Sequence, residues 1–249
     1  MTEPTFNVPR HLRRGGKAGN QSESVASAID IIDLTCRVLK HDTLAGLRML
    51  DMGCGVKLVQ AILEEQLDIG RYAGIDVYAE QIEFLVNHVR DKRFEFHHMD
   101  THNEMYNPDG EPLNASTKLP LEEHSFDIIT LFSVFTHLAP HDYVSMLKVL
   151  RNYVKPDGKL LFSLYLNEST AGGHGFIDGV ARNIKYTPEQ IENYQGPPPF
   201  RDWFPDRPLQ VAVYSREHAI ELVQGTGWHI ESVNDPEEHI QHFIICTPE

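Results

Sequence analysis

Apolar residues recur along this chain with two different periods. Val25, Ile29, Ile32, Cys36 and Leu39 are separated by four, three, four and three positions, which puts them on one face of a helix. Ser24 is placed to cap that helix, and Gly46 to end the segment. Residues 1–23 read as a polar, glycine-containing arm. From Arg48 onward, short apolar runs alternate with helical spacings. Arg48–Asp51, Tyr72–Val77, Arg93–Met99, Phe126–Phe132 and Lys159–Tyr165 read as five strands. Helices are expected at Leu58–Leu67, around Ile82–Val89 and at Tyr143–Tyr153. Phe126–Phe132 is apolar almost throughout, as a strand buried on both faces should be. Lys155-Pro156-Asp157-Gly158 has the residues of a turn.

The strand–helix alternation predicts an α/β fold: a Rossmann-like sheet of mostly parallel strands with helices on both faces. A last helix is expected at Arg216–Gln224. Trp228–Val233 and His239–Cys246 then follow too closely for a parallel crossover, so they must pair antiparallel and close the sheet with an antiparallel last strand. Two stretches break the alternation. Residues 101–121 form a long polar loop. Residues 167–213 hold six of the 15 prolines and several aromatics, the composition of a lid or acceptor-binding insertion. We expect one domain spanning residues 1–249.

Composition narrows the function. The chain has 249 residues, with 22 Lys and Arg against 36 Asp and Glu, a formal charge of −14. That balance argues against a nucleic-acid partner, because phosphate binding needs concentrated positive charge. No apolar run is long enough to span a membrane, and the polar N-terminus does not read as a signal peptide. Three scattered cysteines, Cys36, Cys54 and Cys246, have no zinc spacing and suit a reduced, cytoplasmic protein.

Chemistry is concentrated at the strand tips. The first strand runs into Asp51-Met52-Gly53-Cys54-Gly55 before a helix. Glycines there let the backbone approach a ligand closely. The dinucleotide fingerprint needs a further glycine where Leu58 stands, which weakens that reading. The second strand ends in Gly74-Ile75-Asp76, where a carboxylate is placed to accept from two ribose hydroxyls. The third ends in Met99-Asp100, beside the position of an adenine amino group. The fourth runs into Phe132-Ser133.

In this order the motifs resemble the class I S-adenosylmethionine-dependent methyltransferases over about residues 47–166. The resemblance implies S-adenosyl-L-methionine as cofactor and S-adenosyl-L-homocysteine as product. It implies that Gly53, Cys54 and Gly55 line the methionine part, with Asp51 facing the amino group. Asp76 would hold the ribose, with Val77 against the adenine and Asp100 with Thr101 at the adenine edge. Phe132 and Ser133 would pass under the methionine chain. The departure is Lys57, where the family carries a third glycine; it reads as an exposed residue at the helix start, with pairing to the cofactor carboxylate as the alternative.

An alcohol acceptor must lose its proton as it attacks the methyl group, and histidine is the usual base. His137 follows the fourth strand and is the candidate base, with a structural histidine as the competing reading. His141 lies four residues on, where it can share a helical face. Tyr165, His174 and Trp203 complete the acceptor-side candidates. Phe176, Tyr186, Tyr194, Phe200 and Phe204 offer stacking faces, and Asn167, Glu168, Arg182 and Arg201 offer polar contacts, although most of these aromatics read as packing the lid to the sheet. Gly172-Gly173-His174-Gly175 reads as a hinge or as a loop without a catalytic role. His97 and His98 point to opposite faces of their strand. A metal site combining Asp100, His102 or His98 with Asp127 or Glu104 lacks ligand spacing, so none is expected.

The stretch from His98 to Gly110, with Tyr72–Tyr78 and Arg93–Phe96, is similar to a bacterial subgroup of sugar O-methyltransferases that act in polymethylated mannose polysaccharide synthesis. That resemblance implies a small saccharide acceptor, a short methylated mannoside capped at its anomeric 1-hydroxyl. A homodimer is common for such folds. Three alternatives remain open: methylation of an amine, carboxylate or phenolic metabolite, a nicotinamide-dependent oxidoreductase, and a non-catalytic protein that kept the fold.

Overall fold

The computed structural model describes residues 6–14, 19–183, 199–204, 206–237 and 240–249. Helix α1 spans Gln21–Leu39. The core alternation then runs β1 (Arg48–Met52), α2 (Lys57–Glu64), β2 (Arg71–Asp76), α3 (Ala79–His88), β3 (Phe94–His98), β4 (Phe126–Leu131), α4 (Pro140–Arg151) and β5 (Val154–Leu166). Beyond it come α5 (Phe176–Asn183), the short strands β6 (Phe200–Asp202) and β7 (Ala212–Tyr214), α6 (Arg216–Glu221), β8 (Trp228–Asn234) and β9 (His242–Pro248).

The strands align in the order β3-β2-β1-β4-β5, all parallel. Strand β5 then forks. Its residues Leu160–Leu164 pair with β9 antiparallel, while Tyr165 and Leu166 pair with β7 in parallel. β8 pairs β9 antiparallel at the edge, as the short connection between them requires.

Alternation along the strands divides the core into two layers. Leu50, Ile129, Leu160 and Phe162 face one layer with Tyr143, Met146 and Leu147 of α4. Met49, Ile128 and Leu161 face the other with Ile32, Val59, Ile62 and Leu85 of the first three helices. The three cysteines are buried and free; burial pushes the Cys246 thiol up to about 12 and Cys54 well above its ordinary value.

Several expectations need correction. Asn20, not Ser24, caps α1: its side chain accepts from the Glu23 amide, and Ser24 is buried inside the helix. α1 ends at Leu39 because Lys40 turns left-handed, six residues before Gly46. The arm is partly core, since Val8 and Leu12 are buried against α1 to α3. Helix α4 starts three residues earlier than expected, with Pro140 in its first turn, where proline's missing N–H costs no helical bond. Residues 155–158 are not a turn between elements but an outward excursion within β5: pairing shifts from Phe126↔Val154 to Ile128↔Lys159. The last strand begins at His242, three residues later than expected. Tyr186 and Tyr194 lie outside the described residues.

Candidate active site

The carboxyl ends of β1, β2, β3 and β4 meet at one edge of the sheet, where ligands bind in open α/β folds. A cavity of about 480 Å³ opens there, the size of a small-molecule site. Met52, Gly53, Gly55, Asp76, Val77, Thr101, Phe132, Ser133 and His137 line it together. Gly53 and Gly55 have left-handed backbones, φ +71 and +49. A Cβ on Gly53 would lie 2.4 Å from Val134 Cγ2, so only glycine presents bare backbone to the cavity. The Gly53 and Cys54 amides are held by the Ile75 carbonyl, at 2.7 and 3.0 Å. This bare-backbone floor fits a cofactor that needs close approach.

The buried Asp76 carboxylate accepts from the Gly55 amide and the Tyr78 amide, each at 2.9 Å. Burial raises its pKa, opposed by these hydrogen bonds. Its remaining lone pairs are the ones a ribose would use. Asp51 lies beneath the cavity and is not part of its lining. It accepts from Tyr72 Oη at 2.6 Å and Thr130 Oγ1 at 2.8 Å, so it braces the β1 tip against two neighbouring strands. Cys54 is also absent from the lining; it packs toward Gly74. Asp100 is exposed and lines a neighbouring cavity beside Thr101, where it accepts from Asn107 Nδ2 at 3.0 Å. Lys57 contradicts both of its expected readings: it is half-buried and donates to Ser27 Oγ of α1 at 2.7 Å.

Burial lifts the Asp51 pKa to about 6 from its ordinary 3.8, against the lowering effect of the Tyr72 and Thr130 bonds. The folded state therefore holds this proton more tightly than the unfolded chain. The contribution to stability is present below 3.8 and is lost as the pH rises through about 6. Asp51→Asn is expected to flatten thermal stability across that window; an unchanged slope would show that Asp51 does not titrate there.

His137 ends a short 3₁₀ turn, Phe135–His137, and lines the cavity beside Phe132, Ser133 and Val134. Its Nδ1 lies 3.1 Å from the Leu209 carbonyl. A carbonyl only accepts, so Nδ1 carries the hydrogen and Nε2 keeps its lone pair. Burial lowers the pKa of this imidazole, opposed by its bonds to the backbone at Leu209 and Gln210, and this favours the uncharged form. Tyr106 meets the ring edge-on at 6.4 Å.

Of the acceptor-side candidates, only Tyr165 reaches the cavity wall. It packs on Phe176 at 4.9 Å. His141 does not share that face: α4 begins at Pro140, so His141 points outward and pairs with Asp142 Oδ1 at 2.9 Å, while Asp142 lines the cavity. His174 lies outside the lining. Trp203 packs edge-on against Phe176 at 5.0 Å, and Phe200 against Tyr214 at 5.2 Å, so these aromatics fasten the insertion to the sheet.

The lining also contains residues that sequence reasoning missed: Arg14, Tyr106, Asp142, Gln210 and Gln241. Gln241 Nε2 donates to Ser133 Oγ at 2.9 Å, and its Oε1 accepts from Ser163 Oγ at 2.6 Å. This fixes Ser133, whose φ of +59 is otherwise strained for a non-glycine residue.

Among the described residues, the one cluster with metal-ligand spacing is Glu168, Asp235 and His242, away from the cavity. Arg216 already pairs with both carboxylates, and together with His242 it holds the Glu168 pKa down at about 2, against burial. The set considered from the sequence is not assembled. Asp127 sits at the opposite end of β4, bonded to Lys155 Nζ at 2.6 Å, and His98 Nε2 bonds the Val77 carbonyl at 3.1 Å.

This sheet order, with a glycine loop after β1 and an acid at the β2 tip, defines a class I S-adenosylmethionine-dependent methyltransferase. A methyltransferase-domain family model matches residues 27–244, and the chain belongs to that family. Its cofactor is S-adenosylmethionine. The chain is 26% identical to the ubiquinone biosynthesis O-methyltransferase of Nitrosococcus oceani, over 77% of this chain and 71% of that one. It is 23% identical to the protein of the same name from Neisseria meningitidis serogroup C, over 62% and 59% of the two chains. Among solved structures, it is similar in fold to the magnesium protoporphyrin IX methyltransferase of Synechocystis PCC 6803 with bound S-adenosylhomocysteine. There the TM-score is 0.55 and the identity 14%, over 96% and 92% of the chains. A second is an S-adenosylmethionine-dependent methyltransferase of Mesorhizobium loti, with TM-score 0.52 and 13% identity over 86% and 97%. No helix among the described residues is long and apolar enough to cross a membrane.

Proposed function

We propose that this enzyme transfers the methyl group to a hydroxyl of a small saccharide, the anomeric 1-hydroxyl of a short methylated mannoside. The observation that carries an oxygen acceptor is His137: a buried, backbone-anchored imidazole on the wall of the cofactor cavity, with Nε2 bearing the lone pair. S-adenosylmethionine supplies an already activated methyl group, so the chain's tasks are alignment and proton removal. In this reading His137 Nε2 takes the hydroxyl proton as the oxygen attacks, and Leu209 fixes the ring through Nδ1.

The saccharide rests on two supports. One is the similarity of the strand-three loop to sugar O-methyltransferases. The other is the polar part of the cavity lining, which includes His102, Asn103, Asp142 and Gln210 with the Tyr106 ring. Hydroxyl-rich ligands are held by such mixed donors and acceptors around an aromatic face. Gly53, Gly55, Asp76, Thr101, Phe132 and Ser133 serve the cofactor in this reading, with Asp100 at its adenine edge and Asp51 behind the loop. Tyr165 belongs to the acceptor side; His141, His174 and Trp203 serve it at most through the elements they pack.

The curated relatives favour a second reading, a phenolic hydroxyl of a quinone precursor. Both readings use the same base and differ in the acceptor. Labelled methyl transfer from S-adenosylmethionine separates them, using short mannosides with free or blocked reducing ends and a catechol as acceptors. Labelling of free-end mannosides alone is expected. Labelling of the catechol alone would replace the saccharide with the phenol.

A further inference from the structure

Gln241 stands immediately before β9, whose first residue His242 pairs with Leu164 of β5. Continuing that register brings Gln241 alongside Tyr165, and both residues line the cavity. The Gln241 amide meets three hydroxyls at once. Its Oε1 lies 2.6 Å from Ser163 Oγ, and its Nε2 lies 2.9 Å from Ser133 Oγ and 3.4 Å from Tyr165 Oη. Ser163 and Tyr165 belong to β5 and Ser133 to the turn after β4, so one side chain from the start of β9 ties the other two elements together.

The hydrogens set the direction of each bond. Ser163 is buried, and its Oγ already accepts from the Ser133 amide at 2.9 Å. Its own hydrogen therefore needs an acceptor, which Gln241 Oε1 provides. With Oε1 committed there, Nε2 faces Ser133 and Tyr165 and donates to both oxygens. Gln241 opposes the rise that burial imposes on the Tyr165 pKa, as a donor to the phenol oxygen should. With that oxygen engaged by a donor, the Tyr165 hydroxyl turns its hydrogen toward the cavity. Ser133 needs the same amide for a different reason. Its φ of +59 is a left-handed conformation, which a non-glycine residue keeps only when its surroundings hold it.

We propose that Gln241 is a positioning residue for methyl transfer: its amide holds the Ser133 turn beneath the cofactor and aims the Tyr165 hydroxyl, as a donor, at the acceptor. Cofactor and acceptor then rest on walls fixed by one side chain, and the acceptor must offer Tyr165 an oxygen lone pair. The proposal rests on the cofactor assignment and on Tyr165 as an acceptor-side residue, and not on which acceptor is used.

Three readouts on the full chain test it. The first is calorimetric titration with S-adenosylhomocysteine. A hydrogen bond of this kind contributes about five- to tenfold in affinity, so Gln241→Ala should weaken binding by about that factor. Glycine adopts the left-handed turn unaided, so Gln241→Ala combined with Ser133→Gly should bind within about twofold of Ser133→Gly alone. Losses that multiply would show that Gln241 does not act through the turn. The second is NMR of chains carrying isotope-labelled tyrosine, with Tyr165 assigned by its absence from Tyr165→Phe. Gln241→Ala should shift the Tyr165 Cζ resonance and leave that of Tyr72 in place; an unmoved Tyr165 would remove the aimed donor. Gln241→Glu separates the two walls. Its carboxylate can still hold Ser133 by accepting from Oγ, so S-adenosylhomocysteine affinity should stay within about twofold, but it also draws the Tyr165 hydrogen away from the cavity and should shift that resonance. The third is methyl transfer to short free-end mannosides at saturating S-adenosylmethionine, which Gln241→Glu should slow by about tenfold or more. Unchanged transfer would leave Gln241 a structural role only. A wild-type chain that leaves the mannosides unmethylated would overturn the saccharide reading, while the titration and the resonance still decide the role of Gln241. A wild-type chain that does not bind S-adenosylhomocysteine would overturn the cofactor assignment and this proposal with it.

Discussion

Replacing His137 by alanine is expected to cut turnover by about 10²–10⁴-fold, the usual contribution of a positioned general base. Cofactor affinity should stay within about twofold, because Gly53, Gly55 and Asp76 are untouched by the change. The pH profile carries a second signature. Burial lowers the imidazole pKa below its ordinary 6.5, so His137 is uncharged and able to accept a proton across neutral pH. The wild-type rate should rise with pH to a plateau with its midpoint below 6.5, and the variant should lose that acid limb. His137→Gln keeps a polar side chain at the cavity wall but has no basic nitrogen, so it should be as slow as alanine. A glutamine variant with near-normal turnover would show that the residue only anchors the segment at Leu209.

The second large effect falls on the cofactor. Asp76→Ala should lower affinity for S-adenosylhomocysteine by about 100-fold or more, the sum of two charge-assisted bonds to a ribose. The deletion also leaves the Gly55 and Tyr78 amides without the acceptor they share, and a buried N–H without a partner is costly. Asp76→Asn keeps one acceptor oxygen and should fall between wild type and alanine. Turnover at saturating cofactor should be reduced far less than affinity. Titration calorimetry checks the order; equal binding by wild type and alanine would overturn the map of the site.

The sheet was legible because each central strand carries a strong local signal. Ile128–Leu131 and Leu160–Leu164 are buried on both faces and read as apolar apart from Thr130 and Ser163, and the glycines at 53 and 55 mark a backbone that a side chain would block. Helix ends were harder. Lys40 ends α1 in a left-handed conformation without being glycine, so nothing in its residue type announces the stop. Pro140 did carry a signal, its preference for the first helical turn, and reading it would have turned His141 outward and Asp142 inward. Arg14 was hidden for a different reason. The N-terminal segment that carries it is anchored by three apolar residues, Phe6, Val8 and Leu12, in an otherwise polar run with no period to follow. Gln241 is a neutral amide whose role depends on the serines at 133 and 163, each more than 70 residues away, and no local pattern encodes such a meeting. Trp203 shows the reverse case: its residue type suits a sugar, but tertiary packing sets it against Phe176.

The fork in β5 bears on how such an enzyme can change its acceptor. The segment leaving Leu166 returns at Tyr214, directly beside it in the sheet. The two strand positions hold the ends of the insertion side by side. Lengthening a loop of this kind adds only about 0.6 kcal/mol for each doubling, while the end at β7 is also held by its pairing with β6. An exchange that keeps the stretch from Leu209 to Tyr214, which anchors His137 and lines the cavity through Gln210 and Val211, would keep the cofactor site and bring a new acceptor wall.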